Sequence, residues 1–243
     1  MAKQFTLITG ASSGMGAACA KQFSADRDLI LASENIEALQ EVLSGCSNKD
    51  RHLLWHCNFA SERERIADSL TKLLVDHEAV INEYVHFAGL TKLSPLKTTS
   101  IDAIDTVFNV NVLSIFEIVK ALLKKTNQKA LNKVVLISAL VSRRGNPCNS
   151  IYAASKGAVN ALTYTMALEL APQVRVNALL PGGIMTPMTV GLNPDYLASF
   201  ERETPLGWGT PQDVIDYVEF LLSDKAKWIT GQTIFVDGGK SAR

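Results

Sequence analysis

The sequence predicts an α/β fold: a single domain built on one doubly wound, seven-stranded parallel sheet with helices on both faces. Three observations carry that prediction. Short runs rich in β-branched residues alternate with longer helix-forming stretches along the whole chain, the pattern of repeated strand–helix–strand units. The strand runs are apolar throughout rather than alternating, as strands buried on both faces must be. With 243 residues, 47% of them hydrophobic, the chain can bury one large core without dividing.

In chain order, the first strand is read at FTLIT (Phe5–Thr9), followed by a glycine-rich turn and a helix over GAACAKQF. DLILA gives the second strand and IEALQEVL its helix; HLLWH gives the third and ERIADSLTKLL its helix. YVHFA is the fourth strand, followed by the long stretch IDTVFNVNVLSIFEIVKALLKK. KVVLIS, VRVNALL and TIFVD complete the sheet, with YAASKGAVNALTYTMALELA and DVIDYVEFLL as the intervening helices. No internal repeat, low-complexity tract or linker interrupts the series, so one domain is expected over residues 1–243. Right-handed crossovers place the ligand at the carboxyl ends of the strands, where Gly10, Gly89, Ser138 and Pro181 fall. Residues 186–210 break the alternation with Pro187, Pro194, Pro205, several glycines and a short helix at PDYLASF. An excursion of that length beside a ligand-contacting turn reads as a substrate lid. Phe200 and Trp208 within it either wall a pocket or anchor the loop.

Two motifs carry chemistry. After the first strand comes Thr9-Gly10-Ala11-Ser12-Ser13-Gly14-Met15-Gly16 and then a helix. Glycines allow a tight turn and close approach, and a helix N-terminus offers unpaired N–H groups and partial positive charge, together a cradle for a pyrophosphate. The second motif is Tyr152 and Lys156 in IYAASKGAV. Residues four apart on a helix share a face, with Cβ atoms roughly 5–6 Å apart. A phenol titrates near pH ~10, so a neighbouring ammonium is expected to bring its proton into useful range.

With both motifs present, the chain resembles the short-chain dehydrogenase/reductase family over nearly its whole length, and among its members the 3-oxoacyl thioester reductases. Asn111 in FNVNVLSIF, the segment Arg175-Val176-Asn177-Ala178 leading to Pro181-Gly182-Gly183-Ile184-Met185-Thr186, and the ending Ile229–Gln232 through Val236-Asp237-Gly238-Gly239 fall in the family's order. The resemblance implies a Rossmann-type domain and an NAD(P)-dependent oxidoreductase moving a hydride between nicotinamide and a ketone or secondary alcohol. Tyr152 would exchange a proton with the substrate oxygen. Lys156 would lower the phenol's pKa and hold the nicotinamide ribose, and Asn111 would kink its helix and hold a water leading from Lys156 to solvent. Cofactor contacts are implied for Gly10, Ser12, Ser13, Gly14, Met15, Gly16, Ser33, Glu34, Asn58, Phe59, Ala88, Gly89, Tyr152, Lys156, Pro181 and Gly182. Ile184 and Thr186 would hold the carboxamide.

Three departures give the chain its individual character. Thirteen residues before its tyrosine the family usually has a serine that hydrogen-bonds the substrate carbonyl; here that position is Ala139. Ser138 points to the opposite side at a strand end, whereas Ser142 on the following loop is placed to reach substrate. Ala139 and Ser142 are therefore the expected substrate-contacting positions. The alternative to an active oxidoreductase is a dinucleotide-binding protein with impaired catalysis. Second, His86-Phe87-Ala88-Gly89 stands where the family prefers NNAG; Phe87 reads as a structural change that keeps the turn at Ala88-Gly89. Third, the second strand ends in Ser33-Glu34, with neither the aspartate common in NAD-dependent relatives nor an arginine to pair a 2′-phosphate. The Glu34 carboxylate would repel that phosphate, so NAD is favoured over NADP. Asn58 matches an aspartate that binds the adenine amino group, which an amide carbonyl can also accept.

The remaining composition excludes several classes. With 24 basic and 24 acidic residues the formal net charge is zero, so neither nucleic acid nor an anionic membrane is an expected partner. No apolar run approaches the ~18–20 residues of a transmembrane helix, and no signal-peptide pattern opens the chain. Cys19, Cys46, Cys57 and Cys148 are scattered, reading as free thiols in a cytoplasmic protein. His52 and His56 share a strand face without a second ligand pair, so no metal is expected. A homo-oligomer, dimer or tetramer, is expected through the helices that carry Asn111 and Tyr152.

Overall fold

The computed structural model describes residues 2–187, 189 and 194–242. It contains one seven-stranded, wholly parallel sheet in the order β3-β2-β1-β4-β5-β6-β7. The strands are β1 (Lys3–Thr9), β2 (Leu29–Ser33), β3 (Leu53–His56), β4 (Ala79–His86), β5 (Lys133–Ile137), β6 (Arg175–Pro181) and β7 (Thr233–Val236). All seven were expected; the strand order reverses between β1 and β4, which opens a crevice at the carboxyl ends. The helices are α1 (Gly14–Phe23), α2 (Ile36–Ser44), α3 (Ile66–Asp76), α4 (Ile101–Phe108), α5 (Ser114–Leu122), α6 (Ser150–Leu170), α7 (Pro194–Glu203) and α8 (Pro211–Leu222).

Strand alternation sorts the core into two layers. Phe5, Leu7, Val134, Leu136 and Val176 face α3, α5 and α6, meeting Leu70, Ile118 and Val159. Ile8, Leu31, Val135, Ile137 and Leu179 face the other way, toward Phe23 of α1, Leu39 of α2 and Val218 of α8. A strand with both faces covered has no polar side to show, which is why these runs are continuously apolar.

Two boundaries differ from the sequence reading. β4 begins five residues earlier, at Ala79, because Glu83 interrupts the apolar run but is buried with partners: Thr6 Oγ1 donates to it at 2.9 Å and Lys133 Nζ lies 3.2 Å away. Pairing skips Asn82 between Phe5↔Ile81 and Thr6↔Glu83, a bulge that re-aims the strand. The long helix begins at Ile101, where Ser100 Oγ accepts from Ala103 N at 3.2 Å, a side-chain N-cap. It is also not uniform. Asn109–Leu113 forms a π-helical turn between α4 and α5.

Beyond β6, the expected lid contains α7, while residues 188 and 190–193 lie outside the described residues. The rings of Phe200 and Trp208 stack with centroids 4.4 Å apart, and both lie so close to Gly183 that a Cβ there would sit 2.4 Å or 2.6 Å from them. Trp208 Nε1 donates to Leu197 O, and Lys240 Nζ sits 4.0 Å from the Phe200 ring centre. The pair anchors the excursion to the body of the fold.

Candidate active site

The glycine turn after β1 is built to admit something close to backbone. Gly10 has φ +65°, and a Cβ on it would lie 2.7 Å from Ala88 N. A Cβ on Gly16 would be driven into the Gly10 carbonyl oxygen. Ser13 precedes α1 in extended conformation and makes no side-chain cap, and the first helical bond runs from Ala17 N to Ser13 O. The amides of Gly14, Met15 and Gly16 therefore precede the first intrahelical partner and point out of the helix end. These features fit a pyrophosphate group.

From this turn a cleft of about 480 Å³ runs along the carboxyl ends of the strands. Of the residues expected at a cofactor, it is lined by Gly10, Ser12, Ser13, Gly14, Met15, Gly16, Ser33, Glu34, Phe59, Ala88, Gly89 and Thr186. Its wall also includes Cys57, Ala60, Phe87, Leu90, Thr106, Val110 and Pro187, which motif reasoning missed. Thr106 and Val110 could have been found from the helix pattern, since they sit one turn apart on the rod that carries Asn111. Among the described residues, no Lys or Arg lines the cleft. Ser12 Oγ and Ser33 Oγ are 2.8 Å apart, joining the glycine turn to the end of β2, and His56 Nε2 holds the Glu34 carbonyl oxygen at 2.9 Å.

Asn58, Tyr152, Lys156, Pro181, Gly182 and Ile184 lie outside this lining. Asn58 Oδ1 already accepts from Ala60 N at 2.9 Å and Ser61 N at 3.2 Å. That corrects the expectation of an adenine contact through its carbonyl, because both lone pairs are engaged in closing the local turn. Pro181 pairs with Val236, and a Cβ on Gly182 would meet Asp237 at 2.8 Å. Ile184 bridges to Gly209. These residues shape the turn that presents Thr186.

The second motif stands at the inner end of the cleft. Gly89 joins the two regions: it lines the cleft, and a Cβ there would lie 3.3 Å from Lys156 Nζ and 3.7 Å from Asn111 Oδ1. Asn111 is fully buried in the π turn. Its Oδ1 accepts from Leu90 N at 2.7 Å, and its Nδ2 donates to Leu90 O at 3.0 Å and Ser155 Oγ at 2.9 Å. The asparagine thus clamps the backbone just past Gly89 to α6. Lys156 is buried and donates to Ile137 O at 2.8 Å. Burial lowers its amine to about 8, while burial pushes the Tyr152 phenol up to about 12. The phenol's net shift is therefore upward rather than the lowering expected: Lys156 directs its hydrogen bond to the Ile137 carbonyl, and desolvation outweighs its attraction for the phenolate.

Around position 139 the structure is equally specific. Ala139 is extended (φ −161°, ψ 154°). Ser138 turns away, as expected, and donates to Lys156 O at 3.0 Å. Ser142 Oγ donates to Ala139 O at 2.6 Å and accepts from Asn160 Nδ2 at 2.8 Å. Its only proton is committed to the backbone, so this conformation offers no hydroxyl donor to a substrate from Ser142.

Beneath the site lies a buried polar group that the motifs did not reveal. His86 Nδ1 contacts Tyr84 Oη at 2.7 Å and Thr9 Oγ1 at 2.9 Å. Burial lowers the imidazole to about 3, so it is neutral at working pH. It braces the end of β4, work that the replaced asparagine of the NNAG pattern would do. His52 is held by Leu29 N and the Ser47 carbonyl. Cys19, Cys46 and Cys57 are buried free thiols and Cys148 is an exposed one. Among the described residues, no helix is long and apolar enough to cross a membrane.

Comparison with known proteins agrees with this geometry. A family model described as Enoyl-(Acyl carrier protein) reductase matches residues 10–241. The 3-oxoacyl-[acyl-carrier-protein] reductase FabG of Thermotoga maritima is 34% identical over 240 residues, covering 96% of each chain. Among solved structures, 4-hydroxyisoleucine dehydrogenase complexed with NADH superposes with a TM-score of 0.91 at 28% identity, covering 99% of both chains. The 3-oxoacyl-[acyl-carrier protein] reductase from Brucella melitensis gives 0.86 at 27% identity, covering 97% of this chain and 90% of that one.

Proposed function

The chain belongs to the short-chain dehydrogenase/reductase family, and from that premise we propose that it interconverts a ketone and a secondary alcohol using a nicotinamide dinucleotide, NAD in preference to NADP. The observation that carries this reading is the junction at Gly89, which lines the same cleft as the cradle for a pyrophosphate and packs against Lys156 and Asn111. When bound, the nicotinamide supplies or accepts the hydride. The chain's residues do the rest. The amides at the start of α1 with Ser12 and Ser13 hold the phosphates, Ser33 and Glu34 face the adenosine ribose, and Thr186, on the turn that Ile184 shapes, orients the carboxamide. In reduction, Tyr152 donates its proton to the carbonyl oxygen. Lys156 then stabilises the phenolate left behind, and the Asn111 clamp fixes the loop that faces both.

The preference for NAD rests on Ser33, Glu34 and the absence of any Lys or Arg among the described residues of the cleft lining. A 3-oxoacyl thioester is the first substrate class to test, because the Thermotoga and Brucella relatives are named for that reaction. Ala139 favours a second reading, a dinucleotide-binding protein of low turnover. We also place the chain in the cytoplasm, where its free thiols would stay reduced. Self-association would cover the exposed Tyr164, Leu168, Trp228 and Phe235, most simply as a dimer or tetramer.

Steady-state oxidation of NADH and NADPH across a panel of 3-oxoacyl thioesters, small ketones, sugars and steroids tests the proposal. Turnover faster with NADH and lost in Tyr152→Phe is expected. Tight nucleotide binding with no turnover of any carbonyl would instead establish the second reading.

A further inference from the structure

If Ala139 cannot donate to the substrate oxygen and the hydroxyls of Ser138 and Ser142 are engaged elsewhere, another group must supply the bond or the carbonyl goes without it. We propose that the Asn149 carboxamide is that donor. The inference rests on the oxidoreductase reading above and adds a catalytic residue to it.

Asn149 is the residue immediately before α6, yet its side chain does not cap the helix. It is only 9% exposed, and its amide makes no hydrogen bond among the described residues. Nor is that amide sealed in: the fully buried, unpartnered side-chain atoms among the described residues are His86 Nε2, Asn132 Oδ1 and Asn160 Oδ1. A residue otherwise enclosed therefore presents an unpartnered amide to solvent-reachable space.

Asn149 is the N-cap of α6, and its carbonyl already accepts from Ala153 N at 2.8 Å, so helical spacing extends to it. Residues three apart on a helix are neighbours, so Asn149 and Tyr152 share a face, and Lys156 follows on the same stripe. Side chains on a helix lean toward its N-terminus, carrying the Tyr152 ring over the turn that Asn149 begins. Ile151, between them, instead packs with Ala103 and Val107 of α4. An amide N–H₂ has two protons to offer. One directed at the substrate oxygen strengthens as negative charge develops there during hydride arrival, before Tyr152 completes proton transfer.

The test is Asn149→Ala alone and combined with Ala139→Ser, with NADH titrations and thermal melts as controls. Asn149→Ala should lower kcat by roughly 10²–10³, the range for loss of one oxyanion donor, with unchanged NADH affinity and melting temperature because the side chain caps nothing. Adding Ala139→Ser should restore most of the lost kcat by placing a hydroxyl at the vacant position, whereas the same substitution in the wild type should gain little. Asn149→Asp, of the same shape but without the donor, should be at least as impaired as the alanine variant. An active wild type whose Asn149→Ala variant keeps its kcat overturns this assignment alone. Loss of kcat that Ala139→Ser fails to rescue also overturns it, marking Asn149 as structural. A wild type inert toward every carbonyl overturns both this assignment and the oxidoreductase reading.

Discussion

Glu34→Arg converts the argument about nucleotide preference into a measurable shift. Glu34 is exposed at the end of β2 and lines the cleft, while its backbone is fixed independently of its side chain by the 2.9 Å contact from His56 Nε2 to its carbonyl. The substitution therefore changes charge without moving the strand end. Unit charges 4 Å apart interact by about 1 kcal/mol in water, the appropriate regime for an exposed side chain. A 2′-phosphate carries about −1.5 to −2 charges, so replacing a negative neighbour by a positive one changes the interaction by about 3–4 kcal/mol before screening. Exposed pairs retain about half of such a value or less once salt and side-chain ordering are included. Roughly 2 kcal/mol then remains, or about 30-fold in affinity. NADH, which lacks the phosphate, should change little because Ser12 and Ser33 are untouched. Fluorescence titration of both reduced nucleotides at low and high salt gives the answer, and the NADPH gain should shrink as ionic strength rises. An unchanged ratio of NADPH to NADH affinity would show that Glu34 does not face the ribose, and would sink the placement of the adenosine end.

Other substitutions address the inner end of the cleft. Tyr152→Phe should keep NADH affinity near wild type and remove most turnover, and a retained kcat would rule out the phenol as proton donor. Lys156→Met should abolish most turnover yet stabilise the nucleotide-free protein at neutral pH. Its amine is lowered from 10.5 to about 8 by burial, so below pH 8 the charged form costs about 3 kcal/mol, less about 1 kcal/mol for the bond to Ile137 that methionine cannot make. Because a lowered folded-state pKa on a cation is a penalty present below that value and relieved between 8 and 10.5, the variant's advantage in chemical denaturation should shrink across that window. No advantage at pH 7 would contradict the buried ammonium. For carbonyl reduction, kcat/KM should fall as pH rises through about 8, since the reaction requires the phenol protonated and the lysine charged; a profile flat to pH 10 would count against it. Gly16→Ala should weaken nucleotide binding at least tenfold, because the added Cβ is forced into the Gly10 carbonyl oxygen. Unaltered binding would show that the turn is not the cradle.

The sheet was legible because its strands are covered on both sides, leaving uninterrupted apolar runs such as KVVLIS and FTLIT. The first half of β4 was not, since Asn82 and Glu83 look like a turn until Thr6, Arg27 and Lys133 are seen to converge on the Glu83 carboxylate. At the site, the glycines could be read because their requirement is local: no side chain fits between Gly16 and the Gly10 carbonyl. Tyr152 and Lys156 could be read as neighbours because helical periodicity is also local. What periodicity does not reveal is the direction of a hydrogen bond. Lys156 donates to Ile137 O and Ser142 to Ala139 O, both carbonyls supplied by another part of the chain or by the turn's closure. His86 was hidden for the same reason, since Thr9 is its cross-strand partner, while Tyr84 lies two residues back on the same strand.

The tyrosine and lysine therefore make an acid–base pair through their surroundings rather than through their spacing. From about 12 for Tyr152 to about 8 for Lys156 is a gap of about four pH units, so moving the phenol proton to the amine at rest is uphill by about 5 kcal/mol. An ion pair at ~4 Å with an effective dielectric of ~20 would recover about 4 kcal/mol, less than that cost, and the ammonium is already bonded to Ile137. Below pH 8 the resting site accordingly holds a neutral phenol and a charged lysine, the two forms that carbonyl reduction uses. Lysine's charge has little to stabilise until the phenol has given up its proton, and the same burial that separates the two values then makes their attraction strong. Its electrostatic contribution to reduction falls mainly on the product side of proton transfer. Removing it should accordingly impair kcat in the reductive direction, whereas alcohol oxidation, which must start from phenolate, should lose kcat and have its low-pH limb displaced to higher pH.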